Sequence, residues 1–170
     1  MILPRIRDPR FILDRRGGTL LDEDHRLLAS WAALCALHVL LHFEEACPAD
    51  PRPREAIDAA KAWARREIRV NEAKIAAYHS NAAARGLTGA AKEAALSAGQ
   101  AAAVAHVAAH ELGAAAYGIR AAQASGGHAA REEAGRIECA WQRVQLPERI
   151  RQLVLDDQAS RNDICWFVFS

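Results

Sequence analysis

Between Ala101 and Ala130 the only Lys, Arg, Asp or Glu residues are Glu111 and Arg120, and alanine supplies much of the rest. Alanine has the highest helix propensity, and its single methyl lets neighbouring helices approach closely. A stretch this uncharged therefore predicts a central helix covered by other helices. Over the whole chain 51% of the 170 residues are apolar and 25% charged, which is the balance of an ordinary globular protein. A chain of this length can bury roughly 70% of its unfolded surface, so it needs neither disulfide nor metal to hold together. The expectation is an all-α, compact helical bundle.

Caps and breakers divide the chain into about six helices. Residues 1–21 stand apart: Phe11–Asp14 and Thr19–Leu21 flank Arg15-Arg16-Gly17-Gly18. Gly-Gly readily supplies the positive φ of a tight turn, which predicts a short N-terminal hairpin or arm. The first helix starts near Asp22 with Leu27, Trp31, Leu34, His38 and Leu41 on its stripe, and it stops at Cys47-Pro48. Pro48, Pro51 and Pro53 mark a loop, and Pro53 suits the first turn of a second helix running to about Glu67. Asn71 can cap a third, which ends at Gly86. Thr88 opens the longest stretch, to Ser125-Gly126-Gly127. As a straight rod it would span about 55 Å, against a domain diameter of about 40 Å, so a break is expected near Ser97–Gly99. A fifth helix carries Ile137, Trp141 and Val144 on a buried stripe, and a sixth runs from Leu146-Pro147 to near Leu155. The apolar segment Ile164–Phe169 predicts a tail packed back on the bundle, beside the arm. The whole, 1–170, reads as one domain: arm 1–21, bundle 22–155, tail 156–170.

A net charge of +1 provides no whole-molecule field to attract nucleic acid or an anionic membrane, and predicts little long-range steering of any partner. Cys35, Cys47, Cys139 and Cys165 form no C-x-x-C pair and no disulfide framework. The opening MILPRIRDPRFILDRRGG lacks the apolar region and cleavage site of a signal peptide. No apolar run reaches the 18 residues a membrane span needs. The compartment expected is cytoplasmic.

The sharpest chemical pattern is a pair of H-x-x-x-H spacings, His38 with His42 and His106 with His110. Residues four apart on a helix share a face, so each pair could offer two metal ligands, with Glu45 or His79 as a further one. Neither pair carries the Glu of the H-E-x-x-H zinc-protease motif, and satisfied core histidines are the commoner outcome. Cys35 and His38 stand at i, i+3 without a third orienting group. No nucleophile elbow, phosphate loop or dinucleotide fingerprint is present, so no catalytic residue, metal ligand or cofactor is assigned. Trp31, Trp63 and Trp141 read as core anchors; Trp166, near the terminus, could also serve an interface.

Four segments together resemble a family of bacterial helical immunity proteins associated with polymorphic toxin systems. They are RRGGTLLDEDHRLLASWAALCALHVL (15–40), PRPREAIDAAKAWARRE (51–67), GQAAAVAHVAAHELGAAAYGIRAA (99–122) and WQRVQLPERIRQLVLDDQASRNDICWFVF (141–169). The resemblance implies an all-helical fold and binding of a cognate protein toxin, with no chemistry of its own. It carries over no catalytic or ligand residue. The readings from other classes are a metal-dependent helical-bundle enzyme built on the paired histidines, and a small-ligand-binding or assembly module. On an immunity protein, the arm, the loop at 47–53 and the tail are the expected recognition elements.

Overall fold

In a computed structural model, residues 3–170 are described; Met1 and Ile2, the first residues of the expected arm, lie outside them. Among the described residues eight α-helices follow one another: α1 (Asp22–Val39), α2 (Leu41–Ala46), α3 (Arg52–Ala64), α4 (Val70–Ala83), α5 (Gly89–Ala103), α6 (Glu111–Ser125), α7 (Gly127–Val144) and α8 (Glu148–Ser160). Helix makes up 72% of the structure, with no strand among the described residues. The all-α expectation holds, while the count of about six is two short. The first expected helix divides at Leu40 into α1 and α2, and the longest divides into α5 and α6.

The alanine-rich pair α5 and α6 forms the centre, with α1, α3, α4 and α7 packed around it. Ala94, Ala95, Ala98, Ala101, Ala102 and Ala114–Ala116 are fully buried. Methyl groups this closely enclosed leave no space for a longer side chain. Ala98→Leu is expected to cost about 1–3 kcal/mol through overpacking, read as a lower urea midpoint at unchanged m-value. An unchanged midpoint would contradict the close packing.

The break in the long stretch falls at Val104–Val107, followed by a 3-10 turn over Ala108–His110, and not at Ser97–Gly99. The small residues there serve contact between helices instead. Ser97 Oγ donates to the Ala114 carbonyl at 2.7 Å. A Cβ on Gly99 would lie 2.5 Å from Asn81 Oδ1 and 3.2 Å from the Ala77 carbonyl, so glycine admits α4. At the actual break, carbonyls that lose helical partners find side chains. His25 Nε2 donates to the Val104 carbonyl at 2.7 Å and Arg161 Nη1 to the Ala109 carbonyl at 3.0 Å.

Two stripes differ from expectation. On α1 the buried face is Leu28, Trp31, Ala32, Cys35 and Val39, while Leu34, and Leu41 at the start of α2, face outward. On α7 Ile137 and Val144 are exposed, Val144 at 73%, and Gly135, Glu138, Cys139 and Gln142 are buried. The reversal follows from where hydrogen bonds are available. Gln142 Nε2 donates to Glu138 Oε1 at 2.9 Å and to the Ala115 carbonyl at 3.2 Å, and Trp31 Nε1 donates to the Gln142 carbonyl at 2.9 Å. Hydrogen bonds of this kind offset much of the cost of burying a polar group, although Gln142 Oε1 stays buried without a partner among the described residues.

At the N-terminus no hairpin forms among the described residues. Two 3-10 turns, Pro9–Phe11 and Asp14–Arg16, follow one another, one parallel bridge pairs Leu13 with Leu20 around the second, and Phe11, Leu13 and Leu20 are buried. Gly17, at φ 86, makes the turn that closes this arm. Helix α8 runs on to Ser160 rather than stopping near Leu155. The tail then packs inward through Cys165, Val168 and Phe169, tied by Arg143 to the Phe169 carbonyl at 2.8 Å. Arg10 of the arm pairs with Asp156 of α8 at 2.7 Å, bringing the two ends of the chain together.

Candidate functional site

The histidine pairs occupy separate surroundings. His38, near the end of α1, donates from Nδ1 to Glu138 Oε2 at 2.7 Å, and its ring stacks on Trp141 at 3.6 Å. His42 follows in α2, with Glu45 exposed beside it. His106 and His110 do not share a helical face, because His106 lies in the break after α5 and His110 ends the 3-10 turn. Their ring centroids are 5.2 Å apart. His110 Nδ1 donates to Gln100 Oε1 at 2.7 Å, and His106 Nδ1 is buried without a partner. Burial pushes the pKa of both below the ordinary histidine value, that of His110 to about 4. His106 shares a hollow with His25 of α1, and thirteen residues of helix separate His25 from His38, about 20 Å. The two pairs therefore do not converge on one centre, and His79 is exposed on α4. Among the described residues no group of three His, Cys, Asp or Glu stands close enough to hold a metal ion. Cys35 is fully enclosed, and burial raises its thiol well above the ordinary value.

A buried ionic cluster ties α6 to α8. Arg161 Nε donates to Asp157 Oδ1 at 2.7 Å and its Nη2 to the second oxygen of the same carboxylate. Glu111, fully buried, lies 3.4 Å from Arg161 Nη2. One cation faces two carboxylates here, so burial and the Asp157 charge push the Glu111 carboxyl well above the usual range. The cluster closes the end of the central helix and presents no exposed reactive group.

On the surface, three hollows run together along one side. The first, of about 490 Å³, is lined by Asp22, Arg26, Trp63, Arg66, Ile68, Arg69 and Val70. Trp63 and Val70 also line the next, with Arg15 and Arg16, and that one shares Leu13, Arg16, His25 and His106 with a third reaching Arg7. Six arginines thus face one carboxylate, Asp22, which is already bound to Arg15 at 2.6 Å. Over the chain as a whole, ten of nineteen arginines form ion pairs among the described residues, and nine of those ten lie outside the groove. Of the nine in no such pair, Arg7, Arg16, Arg26, Arg66 and Arg69 line this groove. A sequence signal existed in the run Arg65-Arg66…Arg69, but nothing in the chain order joins it to Arg16 or Arg26.

Two further surfaces are apolar. Leu34 and Leu41, on α1 and α2, and Ile137 and Val144 of α7 are exposed near the His38–Trp141 stack that joins α1 to α7. In the tail Trp166 and Phe167 both adopt positive φ, 58° each, and are exposed. The Arg120 guanidinium covers Trp166 at 4.1 Å, and Phe167 N–H donates to the Asn162 carbonyl at 2.8 Å. By contrast the loop at 47–53 is internally neutralised, Arg52 pairing with Asp50 at 2.5 Å and Arg54 with Glu44 at 2.6 Å.

The family described as Imm-5 like putative immunity protein matches residues 18–149. The chain belongs to that family. No curated protein and no solved structure matches it. The segment shared with the immunity family takes in α1 through α7 and the first two residues of α8, and with them Arg26, Trp63, Arg66 and Arg69. Arg7, Arg15, Arg16 and the Trp166–Phe167 turn lie outside it. The histidines at 38, 42, 106 and 110 all lie inside it.

Proposed function

We propose that this protein neutralises a cognate bacterial toxin by direct contact and performs no chemistry of its own. The observation that carries the reading is the family match, which spans nearly the whole helical scaffold. The surface supports it, because a rigid core presents a basic groove, an apolar strip and an aromatic turn. Such irregular or unpaired features on a fixed scaffold suit recognition. A metal-dependent enzyme gains no support from the histidine pairs, which stand beside opposite ends of α1.

Immunity requires the protein to outcompete the toxin's substrate, so binding should be nanomolar or better, about −12 kcal/mol. No helix of the described residues is long and apolar enough to cross a membrane, and the encounter is proposed to occur in the cytoplasm. The test is co-expression with toxins encoded beside this gene. Growth restored to that of toxin-free cells is expected. Survival no better than with an empty vector, and no complex at micromolar concentrations, would remove immunity toward those toxins.

A further inference from the structure

The groove around Trp63 is concave, cationic and largely without internal counter-charge. Arg26 lies over the Trp63 ring at 5.0 Å and donates from Nη1 to the Trp63 carbonyl at 2.7 Å. Its Nε is buried without a partner. Both Arg26 and Arg66 line the hollow, and burial and then the neighbouring Arg66 weaken the hold of Arg26 on its proton. Arg66 sits at φ 68 immediately beyond α3, where its N–H donates to the Trp63 carbonyl at 2.9 Å. Glycine is the usual residue in that conformation, and arginine there places a cation on the rim at a conformational cost. Arg69 precedes α4, its backbone N–H bonded to Glu72 Oε2 at 2.9 Å while its side chain is exposed and in no ion pair.

We propose that this groove seats an acidic segment of a protein partner, its carboxylates received by Arg66, Arg69 and Arg26. That the partner is a toxin rests on the immunity reading above; that its docking face is acidic rests on the groove. Guanidinium forks match carboxylates two bonds at a time. The exposed Val70 and half-buried Ile68 offer an aliphatic contact beside them. Nucleic acid fits less well, because single-stranded recognition relies on aromatic faces open to stacking. Trp63 is only 7% exposed, with Arg26 over its face and His25 edge-on at 4.8 Å. A toxin whose docking face is acidic differs from one whose working cleft is built to hold nucleic acid, since such a cleft is itself basic.

The test compares Arg66→Glu/Arg69→Glu with Arg85→Glu/Arg131→Glu, two exposed arginines in no ion pair and outside the groove. Titrated with a glutamate-rich peptide at low salt, the groove variant should bind at least about tenfold more weakly than wild type, and the control within about twofold. Equal losses in both variants, no peptide binding by wild type, or single-stranded RNA binding as tightly as the peptide would each overturn the proposal. Co-expression with the neighbouring toxins separates the two readings. Protection lost in the groove variant and kept in the control supports the groove. Full protection by the groove variant overturns it and leaves immunity standing. If wild type itself fails to protect, the immunity reading falls for those toxins, and the peptide titration alone decides the groove.

Discussion

Replacing Arg161 with Met should lower stability by about 3–5 kcal/mol, the range for removing one partner of a buried ionic group. Arg161 is 4% exposed and satisfies both oxygens of Asp157 and the Ala109 carbonyl at the α5–α6 break. Methionine fills much of the volume but removes the cation from a buried carboxylate and the Arg161 donor from a helix-end carbonyl. Glu111→Gln should behave differently, although Glu111 is the more deeply buried. Burial and Asp157 push its carboxyl well above the usual range, which favours the neutral form. An amide presents nearly the same shape and donor, and the loss should stay near or below about 1 kcal/mol. Urea unfolding of the two variants checks this. Large and equal losses would show that Glu111 is ionised in the folded protein.

Acidification should destabilise the wild type more than a His110→Gln variant. Burial, with His106, Arg161 and Arg7 as positive neighbours, holds His110 down to about 4, against an ordinary value of 6.5. The unfolded chain then binds more protons than the folded one between these values, so stability falls as pH drops through that window. At about 1.4 kcal/mol for each tenfold change in proton concentration, the His110 contribution approaches roughly 3 kcal/mol by pH 4. His25 and His106, also lowered chiefly by burial, add in the same direction. The raised carboxyl of Glu111 acts oppositely over part of the range, which makes the difference between wild type and variant the informative quantity. The amide introduced in His110→Gln can keep a hydrogen bond to Gln100 and takes up no proton, so the variant should lose about 2–3 kcal/mol less between pH 7 and pH 4. Parallel pH profiles for the two proteins would contradict the burial argument.

The fold was legible where local rules and packing agree. The uncharged alanine stretch required a surrounded helix, and Pro53, Gly86 and the Gly126-Gly127 pair mark real helix limits. The errors fall where partners distant in sequence override periodicity. Glu138 and Gln142 are buried because His38 and the Ala115 carbonyl bond to them, and this turns Ile137 and Val144 outward. Ser97 and Gly99 read as a weak point, yet their small size serves the approach of α6 and α4. The break comes instead at Val104–Val107, where His25 and, beyond it, Arg161 supply hydrogen bonds from elsewhere in the chain. The groove was the least visible feature. A net charge of +1 conceals it, because most other arginines are neutralised by nearby carboxylates. The unpaired ones gather only when α1, the α3–α4 connection and the N-terminal arm fold together.

Neutralisation by contact alone is tested most directly by stoichiometry. Purified toxin, encoded beside this gene and assayed for its own activity, would be titrated with the protein. Activity should fall linearly to zero at about one equivalent, and toxin recovered by denaturing the complex and refolding should be chemically unchanged and fully active. Inactivation by a small fraction of an equivalent, or recovered toxin carrying a covalent alteration, would show turnover and contradict neutralisation by contact.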